Sequence, residues 1–212
     1  MNRFFLYFVK ITGYLPAKVF FKWKIYYENK QVQTTAVHKG AMIVSNHKAI
    51  MDVPFYTILF FKTPVRFLVA DVVYDTNVKI VSHMLNRMGC LRVDRATMDF
   101  SFIDESVKAL LQGDRICIFP EGQLPREGKM SRFTPSYVMI ALQSGADIIP
   151  VYTDGCYGMT KRAHVTIGEP INLKAICDKE YPSKEDIQMC NDIVLNKIKE
   201  LGKETERKKA KV

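Results

Sequence analysis

The sequence predicts an α/β protein, a single domain in which helices flank a central mixed sheet, preceded by an N-terminal two-helix motif. Short apolar runs typical of buried strands alternate along the chain with longer segments of helical periodicity. The length of 212 residues fits one core, and neither an internal repeat nor a low-complexity linker divides the chain. The composition, 48% hydrophobic and 25% charged, is that of a globular protein.

The first 30 residues differ from the rest in charge and aromatic content, with six basic residues and one acid, and with eight aromatic rings from Phe4 to Trp23. Gly13 and Pro16 predict a break into two short helical pieces. Aromatic and aliphatic residues mixed with lysine and arginine are typical of helices lying in a membrane interface; the alternative is a helical hairpin packed on the core. We expect an interfacial helical segment over 1–30, because the six apolar residues between Arg3 and Lys10 are too few for a signal core or a membrane span.

The remaining chain alternates predicted strands and helices. Short apolar runs predict strands at 41–45, 65–70, 90–93, 115–119, 147–152 and 163–167. Helical spacing predicts helices at 50–61, 78–88, 100–112 and 134–144, and a last helix that Ser183 and Asp186 cap. We expect one catalytic domain over 31–202 and a charged tail over 203–212 that frays into solvent.

Charge and cysteine content narrow the function classes. A net charge of +9 favours an anionic partner: nucleic acid, anionic lipid or a phosphorylated substrate. Nucleic acid is disfavoured because no predicted helix carries a regular basic stripe. Five cysteines without CxxC spacing argue against a disulfide framework and a zinc site, and predict free thiols in a reducing compartment. The sequence also lacks the GxSxG, P-loop and HExxH motifs.

His47 and Asp52 form the first candidate for chemistry. His47 follows the predicted strand 41–45, and open α/β sheets place their sites at the carboxyl ends of strands. Positions five apart share no face of one helix, but the two side chains meet if His47 lies in the turn and Asp52 in the first helical turn. The carboxylate would then accept the Nδ1 proton and leave Nε2 as a base. The alternative is a capping or core histidine with an incidental acid.

Two further motifs lie near predicted strand ends. Phe119-Pro120-Glu121-Gly122 places an acid beside a permissive glycine, which suits an anion or hydroxyl site but also ordinary turn chemistry. Arg92 and Arg95 flank Asp94 after another strand. Arginine forks match phosphate oxygens, while the alternative is a surface salt bridge with Asp94.

Four motifs together resemble those of the glycerolipid acyltransferase family, specifically the 1-acyl-glycerol-3-phosphate acyltransferases. Their order in the chain is His47-x4-Asp52, Gly89-x5-Arg95, Phe119-Pro120-Glu121-Gly122 and Ile149-Pro150-Val151. The resemblance implies transfer of an acyl group from a thioester, either acyl-CoA or acyl carrier protein, to a lysophospholipid hydroxyl, giving phosphatidic acid. It implies no metal and no cofactor. It also implies attachment to the cytoplasmic face of the cell membrane, peripheral or monotopic, and an anionic membrane surface as partner.

The resemblance also implies residue roles. His47 would deprotonate the acceptor hydroxyl, and Asp52 would orient His47. Substrate-binding roles are implied for Asn46, Arg95, Glu121, Gly122 and Arg126. Arg95 would bind the acceptor phosphate, Glu121 and Gly122 would shape the acceptor site, and Pro150 belongs to a motif linked to the acyl-donor side. Direct attack on the thioester requires no cysteine nucleophile.

This chain departs from the family pattern after Gly122. The family often continues with Thr-Arg-Ser, whereas Gln123-Leu124-Pro125-Arg126 stands here. The family arginine is therefore missing at position 124, and Arg126, two residues later, would take its place. A later Phe-Lys-x-Gly motif is replaced by Phe133-Thr134-Pro135-Ser136. These changes leave the assignment of acyl transfer intact but open the alternative of another lysophospholipid or a glycolipid as acceptor. A non-catalytic lipid-binding protein is a separate alternative, against which the presence of His47 and Asp52 argues.

Overall fold

The computed structural model describes residues 1–35, 40–75, 79–94, 100–125 and 130–211, with the backbone alone for 33–35. Over these residues the chain forms the predicted single α/β domain with a mixed sheet. The strands are β1 (Lys24–Tyr27), β2 (Met42–Ser45), β3 (Val65–Ala70), β4 (Leu91–Val93), β5 (Arg115–Ile118), β6 (Ile148–Thr153) and β7 (His164–Ile167). The helices are α1 (Arg3–Phe21), α2 (Lys30–Thr35), α3 (Asp52–Leu59), α4 (Asp71–Tyr74), α5 (Lys79–Met88), α6 (Ser101–Leu111), α7 (Ser136–Ser144), α8 (Leu173–Ile176) and α9 (Lys184–Lys209).

The seven strands form one sheet in the order β1-β7-β6-β2-β5-β3-β4. Every neighbouring pair is parallel except β6 and β7, so β1 and β7 run opposite to the other five. β2 lies at the centre, with Val44 opposite Pro150 of β6 and Ile118 of β5. The carboxyl ends of β2, β5 and β6 therefore meet at one edge of the sheet, where a site in such a fold is expected.

The core lies on both faces of the sheet. Ile43 of β2 and Cys117 of β5 face one cluster, which includes buried residues of α1, α3 and α5. Met42 and Val44 face the other, which α6, α7 and α9 cover. Because both faces are covered, these strands are apolar at nearly every position, which is why the sequence predicts them as short apolar runs.

The N-terminal segment forms one helix, and the predicted break into two short helical pieces is wrong. α1 is continuous for 19 residues with Pro16 inside it, and β1 follows as an edge strand paired to β7. An interior proline costs a helix roughly 3 kcal/mol. Burial of Leu6 and Phe21 against the domain offsets this cost, so tertiary packing outweighs the local signal.

Lys10 ties α1 to the end of α3. Its side chain is fully buried, and Nζ donates to the carbonyl oxygens of Phe60 at 3.0 Å, Phe61 at 3.1 Å and Thr63 at 2.7 Å. These carbonyls follow the last turn of α3, where backbone acceptors need a partner from outside the helix. Burial, with a smaller contribution from Arg115, lowers the pKa of Lys10 to about 8.

The C-terminal segment predicted to be a charged, fraying tail over 203–212 is helical as far as Lys209. Thr205 is buried and its hydroxyl lies 2.6 Å from that of Thr166 on β7. Lys209 Nζ donates to Asp154 at 3.0 Å. The predicted cap is present, since Ser183 and Asp186 exchange side-chain and backbone hydrogen bonds at the start of α9. Contacts to β7 and to the loop after β6 therefore hold the charged end of the helix in place.

Candidate active site

His47 and Asp52 meet as the sequence predicts, at the boundary between a loop and a helix. His47 follows β2 by two residues, and Asp52 is the first residue of α3. His47 Nδ1 lies 2.6 Å from Asp52 Oδ2. The same oxygen accepts the backbone N–H groups of Lys48 at 2.6 Å and Ala49 at 2.9 Å. The loop thus folds around the carboxylate, which fixes both side chains.

Burial and hydrogen bonding assign the protons of this pair. The Asp52 side chain is fully buried, while that of His47 is 17% exposed. An ionised carboxylate only accepts hydrogen bonds, so His47 Nδ1 carries the proton that it donates to Asp52. Nε2 is then the ring nitrogen that can take a proton from a bound molecule.

Tyr157 is a third member of this arrangement, and sequence reasoning missed it. Its hydroxyl donates to Asp52 Oδ1, the carboxylate oxygen that His47 does not use. The ring packs edge-on against Phe21 and tilted against Phe55, with centroid distances of 5.1 and 5.3 Å. Burial and the neighbouring Asp52 raise the pKa of Tyr157 far above its usual value, which keeps the phenol protonated as a donor. No local signal marks it, because 105 positions separate Tyr157 from Asp52.

Phe119 sets the plane of the His47 ring. The two rings stack with centroids 4.5 Å apart and an angle of 14° between their planes. Phe119 directly follows β5, so the central strand and its neighbour together orient the imidazole.

Glu121 connects two loops at the site. Its Oε1 accepts the backbone N–H of His47 at 2.9 Å, and its Oε2 accepts that of Ser131 at 2.7 Å. Gly122 has φ 66°, a left-handed conformation that favours glycine, and its N–H donates to the Phe119 carbonyl at 3.0 Å. Since both carboxylate oxygens accept backbone N–H groups, Glu121 positions the His47 loop. The substrate-binding role that the resemblance implies for Glu121 stays a prediction.

Asn46 also has a different place from the one expected of a substrate-binding residue. It is fully buried, and its amide exchanges two hydrogen bonds with the backbone of Thr153, each 2.9 Å long. These bonds join the carboxyl ends of β2 and β6. The side chain is closed to solvent and acts as a structural link between these strands, and the substrate-binding role of Asn46 stays a prediction.

The predicted phosphate-binding residues Arg95 and Arg126 lie outside the residues that the structure describes. Their neighbour Arg92 pairs with Asp71 and with Asp75, the latter at 3.2 Å, so its described partners are acids of α4 and the residue that follows it. The Ile149-Pro150-Val151 motif is buried within β6 beside β2.

Burial keeps the thiols of Cys117 and Cys90 protonated. Cys117 is buried between Ile116 and Ile118, and burial raises its pKa well above the usual value. Burial likewise raises the pKa of Cys90 to about 11. Among the described residues, no group of three or more histidine, cysteine or acidic side chains is placed to hold a metal ion.

An apolar groove of about 1130 Å³ opens between α1, α3 and α5. Its walls include Val9 and Pro16 of α1, Ile58 of α3 and Met84 of α5. Met51, the residue before Asp52, also lines it. The groove therefore extends from the loop that carries His47 toward the exposed side of α1.

The chain is similar to known acyltransferases. The Acyltransferase family model matches residues 24–154, which contain all four motifs. A chloroplastic 1-acyl-sn-glycerol-3-phosphate acyltransferase of Arabidopsis thaliana is 23% identical over 72% of this chain and 42% of its own length. The enzyme of that name from Borreliella burgdorferi is 31% identical over 53% of this chain and 44% of its own. This chain thus spans less than half the length of these two relatives.

A solved structure shows the same fold. The crystal structure of the 1-acyl-sn-glycerophosphate acyltransferase PlsC from Thermotoga maritima superposes with a TM-score of 0.61 and 20% identity, over 93% of this chain and 78% of the other. The family model covers well over half of the chain and includes His47, Asp52, Glu121 and Gly122. The chain therefore belongs to the Acyltransferase family.

Proposed function

We propose that this protein transfers a fatty acyl group from an acyl thioester to the free hydroxyl of 1-acyl-glycerol-3-phosphate. The product would be phosphatidic acid for phospholipid biosynthesis. The observation that carries the proposal is the 2.6 Å contact between His47 and Asp52 beside the apolar groove. Two relatives named as 1-acyl-sn-glycerol-3-phosphate acyltransferases support the choice of substrate.

The geometry supports general-base catalysis with direct transfer. His47 Nε2 takes the hydroxyl proton as the acceptor oxygen attacks the thioester carbonyl carbon, and Asp52 stabilises the imidazolium that forms. The tetrahedral intermediate then collapses, the carbon–sulfur bond breaks, and the leaving thiolate takes the proton from His47. General-base catalysis of this kind contributes roughly 10²–10⁴ in rate. No cysteine takes part in these steps, in line with the raised pKa of Cys117.

The apolar groove would hold an acyl chain. Its volume of about 1130 Å³ exceeds the roughly 300–1,000 Å³ of pockets that take drug-sized ligands. Because Met51 lines the groove and precedes Asp52, a chain lying there would end beside His47. Acyl-CoA and acyl carrier protein are both candidate donors, since the groove would contact the acyl chain that they share.

Arg95 is proposed to bind the acceptor phosphate. We expect Arg95→Ala to raise KM for a phosphorylated acceptor about 10- to 100-fold, because a hydrogen bond to a charged group contributes roughly 1.5–3 kcal/mol. The KM for the acyl donor should stay near the wild-type value. Steady-state kinetics with each substrate varied in turn measures both constants.

Arg92→Ala is the matched control for this prediction. Arg92 belongs to the same motif but pairs with Asp71 and Asp75, so its loss should leave KM for the acceptor nearly unchanged. An equal rise of KM for donor and acceptor in Arg95→Ala would contradict the phosphate-binding role.

We also propose that α1 attaches the protein to an anionic membrane surface. Phe4, Phe8, Ile11 and Leu15 are spaced along one face of the helix and are between 56% and 83% exposed. Of the described helices, α1 is the one whose length and composition would let it cross a membrane, with a mean hydropathy of 1.3. Its buried Lys10 is bonded to the end of α3, which favours a helix that stays on the domain and lies in the interface. The resemblance to the acyltransferase family is the ground for proposing the cytoplasmic face.

The double substitution Phe8→Asp with Ile11→Asp is expected to reduce binding to anionic liposomes at least tenfold. Each aromatic or aliphatic side chain moved from water to an apolar phase contributes about 1.5–3 kcal/mol. Co-sedimentation with vesicles containing phosphatidylglycerol measures the bound fraction. Deletion of residues 1–22 is less informative, because it also removes the core residues Leu6 and Phe21.

Tyr181→Asp with Met189→Asp is the control for the liposome experiment. Both side chains are exposed and apolar, and they lie outside α1 and its groove. They should leave sedimentation unchanged. Undiminished sedimentation of the Phe8→Asp and Ile11→Asp variant would place the membrane contact elsewhere on the protein.

The test of the proposed function is acyl transfer by the purified protein from long-chain acyl-CoA and acyl carrier protein. The acceptors are lysophosphatidic acid, lysophospholipids with larger headgroups, a monoacylglycerol and a glycolipid. Transfer to lysophosphatidic acid in preference to the others would support the proposal. Transfer to the others alone would show that the altered sequence over 123–136 redirects the acceptor. Binding of lipid without transfer from either donor would favour a lipid-binding protein.

A further inference from the structure

A continuous chain of hydrogen bonds leads from β6 to His47. Tyr157 has one hydroxyl hydrogen, and ionised Asp52 can only accept it, so Tyr157 donates to Asp52 Oδ1. The Tyr157 oxygen can then accept from Thr153 Oγ1, 3.2 Å away, which itself accepts the N–H of Gly155 at 3.2 Å. One carboxylate thus receives Tyr157 on one oxygen and His47 on the other.

We propose that Tyr157 is a positioning residue that limits the basicity of the His47–Asp52 pair and so keeps His47 unprotonated, ready to act as a base, at neutral pH. A hydrogen bond from the phenol disperses the carboxylate charge. Asp52 then stabilises a protonated imidazole less strongly. The effect on catalysis rests on the proposed acyl transfer, whereas the effect on His47 does not.

The loop that carries Tyr157 is held from both sides. Asp154 accepts the backbone N–H groups of Cys156 at 3.0 Å and His164 at 3.1 Å, and it pairs with the side chains of His164 and Lys209, each at 3.0 Å. Burial opposes ionisation of Asp154, but these hydrogen bonds together hold its pKa below the usual range.

The opposite side of this loop rests on the His47 loop. Gly155 has φ 68°, and a Cβ added there would lie 2.4 Å from Cβ of Lys48. The Gly155 backbone therefore lies directly against the Lys48 side chain of the His47 loop, which helps to fix the position of the Tyr157 hydroxyl relative to Asp52.

Two other titratable groups near the pair, Tyr56 and Cys117, keep their protons at neutral pH. Burial raises the pKa of Tyr56 well above its usual value, and the Tyr56 hydroxyl lies 2.6 Å from Ser45 Oγ instead of contacting Asp52. Burial also raises the pKa of Cys117, so this thiol stays neutral. Glu121 contacts the backbone N–H of His47 whether or not Tyr157 has a hydroxyl. Loss of the Tyr157 hydroxyl removes its hydrogen bonds to Asp52 and Thr153, and of these two partners Asp52 is the one bonded to His47.

The experiment compares Tyr157→Phe with wild type as a function of pH. The phenylalanine ring keeps the contacts with Phe21 and Phe55 and loses only the hydroxyl. The acid limb of kcat/KM should move up by about one pH unit, because the carboxylate that pairs with His47 loses the donor that disperses its charge. At pH 7, kcat should fall several-fold while KM for both substrates stays constant. The NMR titration of the His47 ring should shift upward by a similar amount.

A second variant should shift the acid limb and the His47 titration in the opposite direction. Replacing Tyr157 with 3-fluorotyrosine gives a more acidic phenol and a stronger donor, so the acid limb and the His47 titration should both move to lower pH. A merely structural role would not produce opposite shifts. Tyr137→Phe is the control, because it removes another buried hydroxyl, bonded to Asn191 on the far side of the sheet, and should shift neither quantity.

Unchanged titration of His47 in both Tyr157 variants, with wild-type thermal stability, would overturn the inference. A downward shift in Tyr157→Phe would overturn it as well. A wild-type protein that transfers no acyl group to any acceptor would overturn the proposed function. The NMR titration would then still decide the role of Tyr157.

Discussion

His47→Ala is expected to lower kcat for acyl transfer by about 10²–10⁴, the usual contribution of a general base. This corresponds to roughly 3–5 kcal/mol of transition-state stabilisation. KM for both substrates should change little, because the imidazole acts on the hydroxyl proton during attack. A single-turnover assay with labelled acyl donor measures the chemical step directly.

The fold should survive this substitution. The Asp52 carboxylate keeps its hydrogen bonds from the backbone of Lys48 and Ala49 and from Tyr157. His83→Ala is the matched control, since His83 is exposed on α5 and contributes nothing to the site. Wild-type turnover by folded His47→Ala would exclude His47 as the base and would require another group to accept the proton.

The sequence predicts the central part of the fold well because the signals there are local. β2, β5 and β6 are apolar at nearly every position, as strands buried on both faces must be. The contact between His47 and Asp52 also follows from local geometry, since a loop and a first helical turn bring positions five apart together.

The structural features that the sequence does not predict depend on contacts between distant parts of the chain. β1 reads Lys-Ile-Tyr-Tyr and is half-buried throughout, so it has no apolar run, and its pairing partner β7 lies about 140 positions away. The continuity of α1 through Pro16 comes from packing against the domain.

At the site, the contacts of Asn46 and Tyr157 likewise depend on distant parts of the chain and could not be predicted from local sequence. The resemblance implies a substrate-binding role for Asn46, whereas its amide bonds to the backbone of Thr153, 107 positions away. Tyr157 lies three residues beyond the end of the family match at 154, in a loop with no motif of its own. Only the order of strands in the sheet brings the ends of β2 and β6 together and so places both residues.

Asp52→Asn is expected to lower kcat by about 10²–10⁴ with little change in KM, because the imidazolium formed during attack loses its carboxylate partner. The asparagine amide can take over the hydrogen bonds that the Asp52 carboxylate makes. Its oxygen can occupy the place of Oδ2, which accepts from His47, Lys48 and Ala49, while its nitrogen donates to the Tyr157 oxygen. The Tyr157 hydrogen can then turn to Thr153 Oγ1, 3.2 Å away. Asp52→Ala is a poorer choice, because each buried donor left without a partner costs roughly 1–3 kcal/mol of stability.

The pH profile of Asp52→Asn separates loss of charge from loss of geometry. Without a neighbouring carboxylate the protonated form of His47 is less stable, so the acid limb of the residual activity should move to lower pH. Tyr157→Phe acts on the same carboxylate and is expected to move this limb in the opposite direction. If Asp52→Asn retained wild-type kcat, orientation of His47 alone would suffice and the charge of Asp52 would be dispensable. If its residual activity kept the wild-type pH profile, the acid limb would report a group other than His47, and the proposed coupling from Tyr157 through Asp52 to His47 would lose its basis.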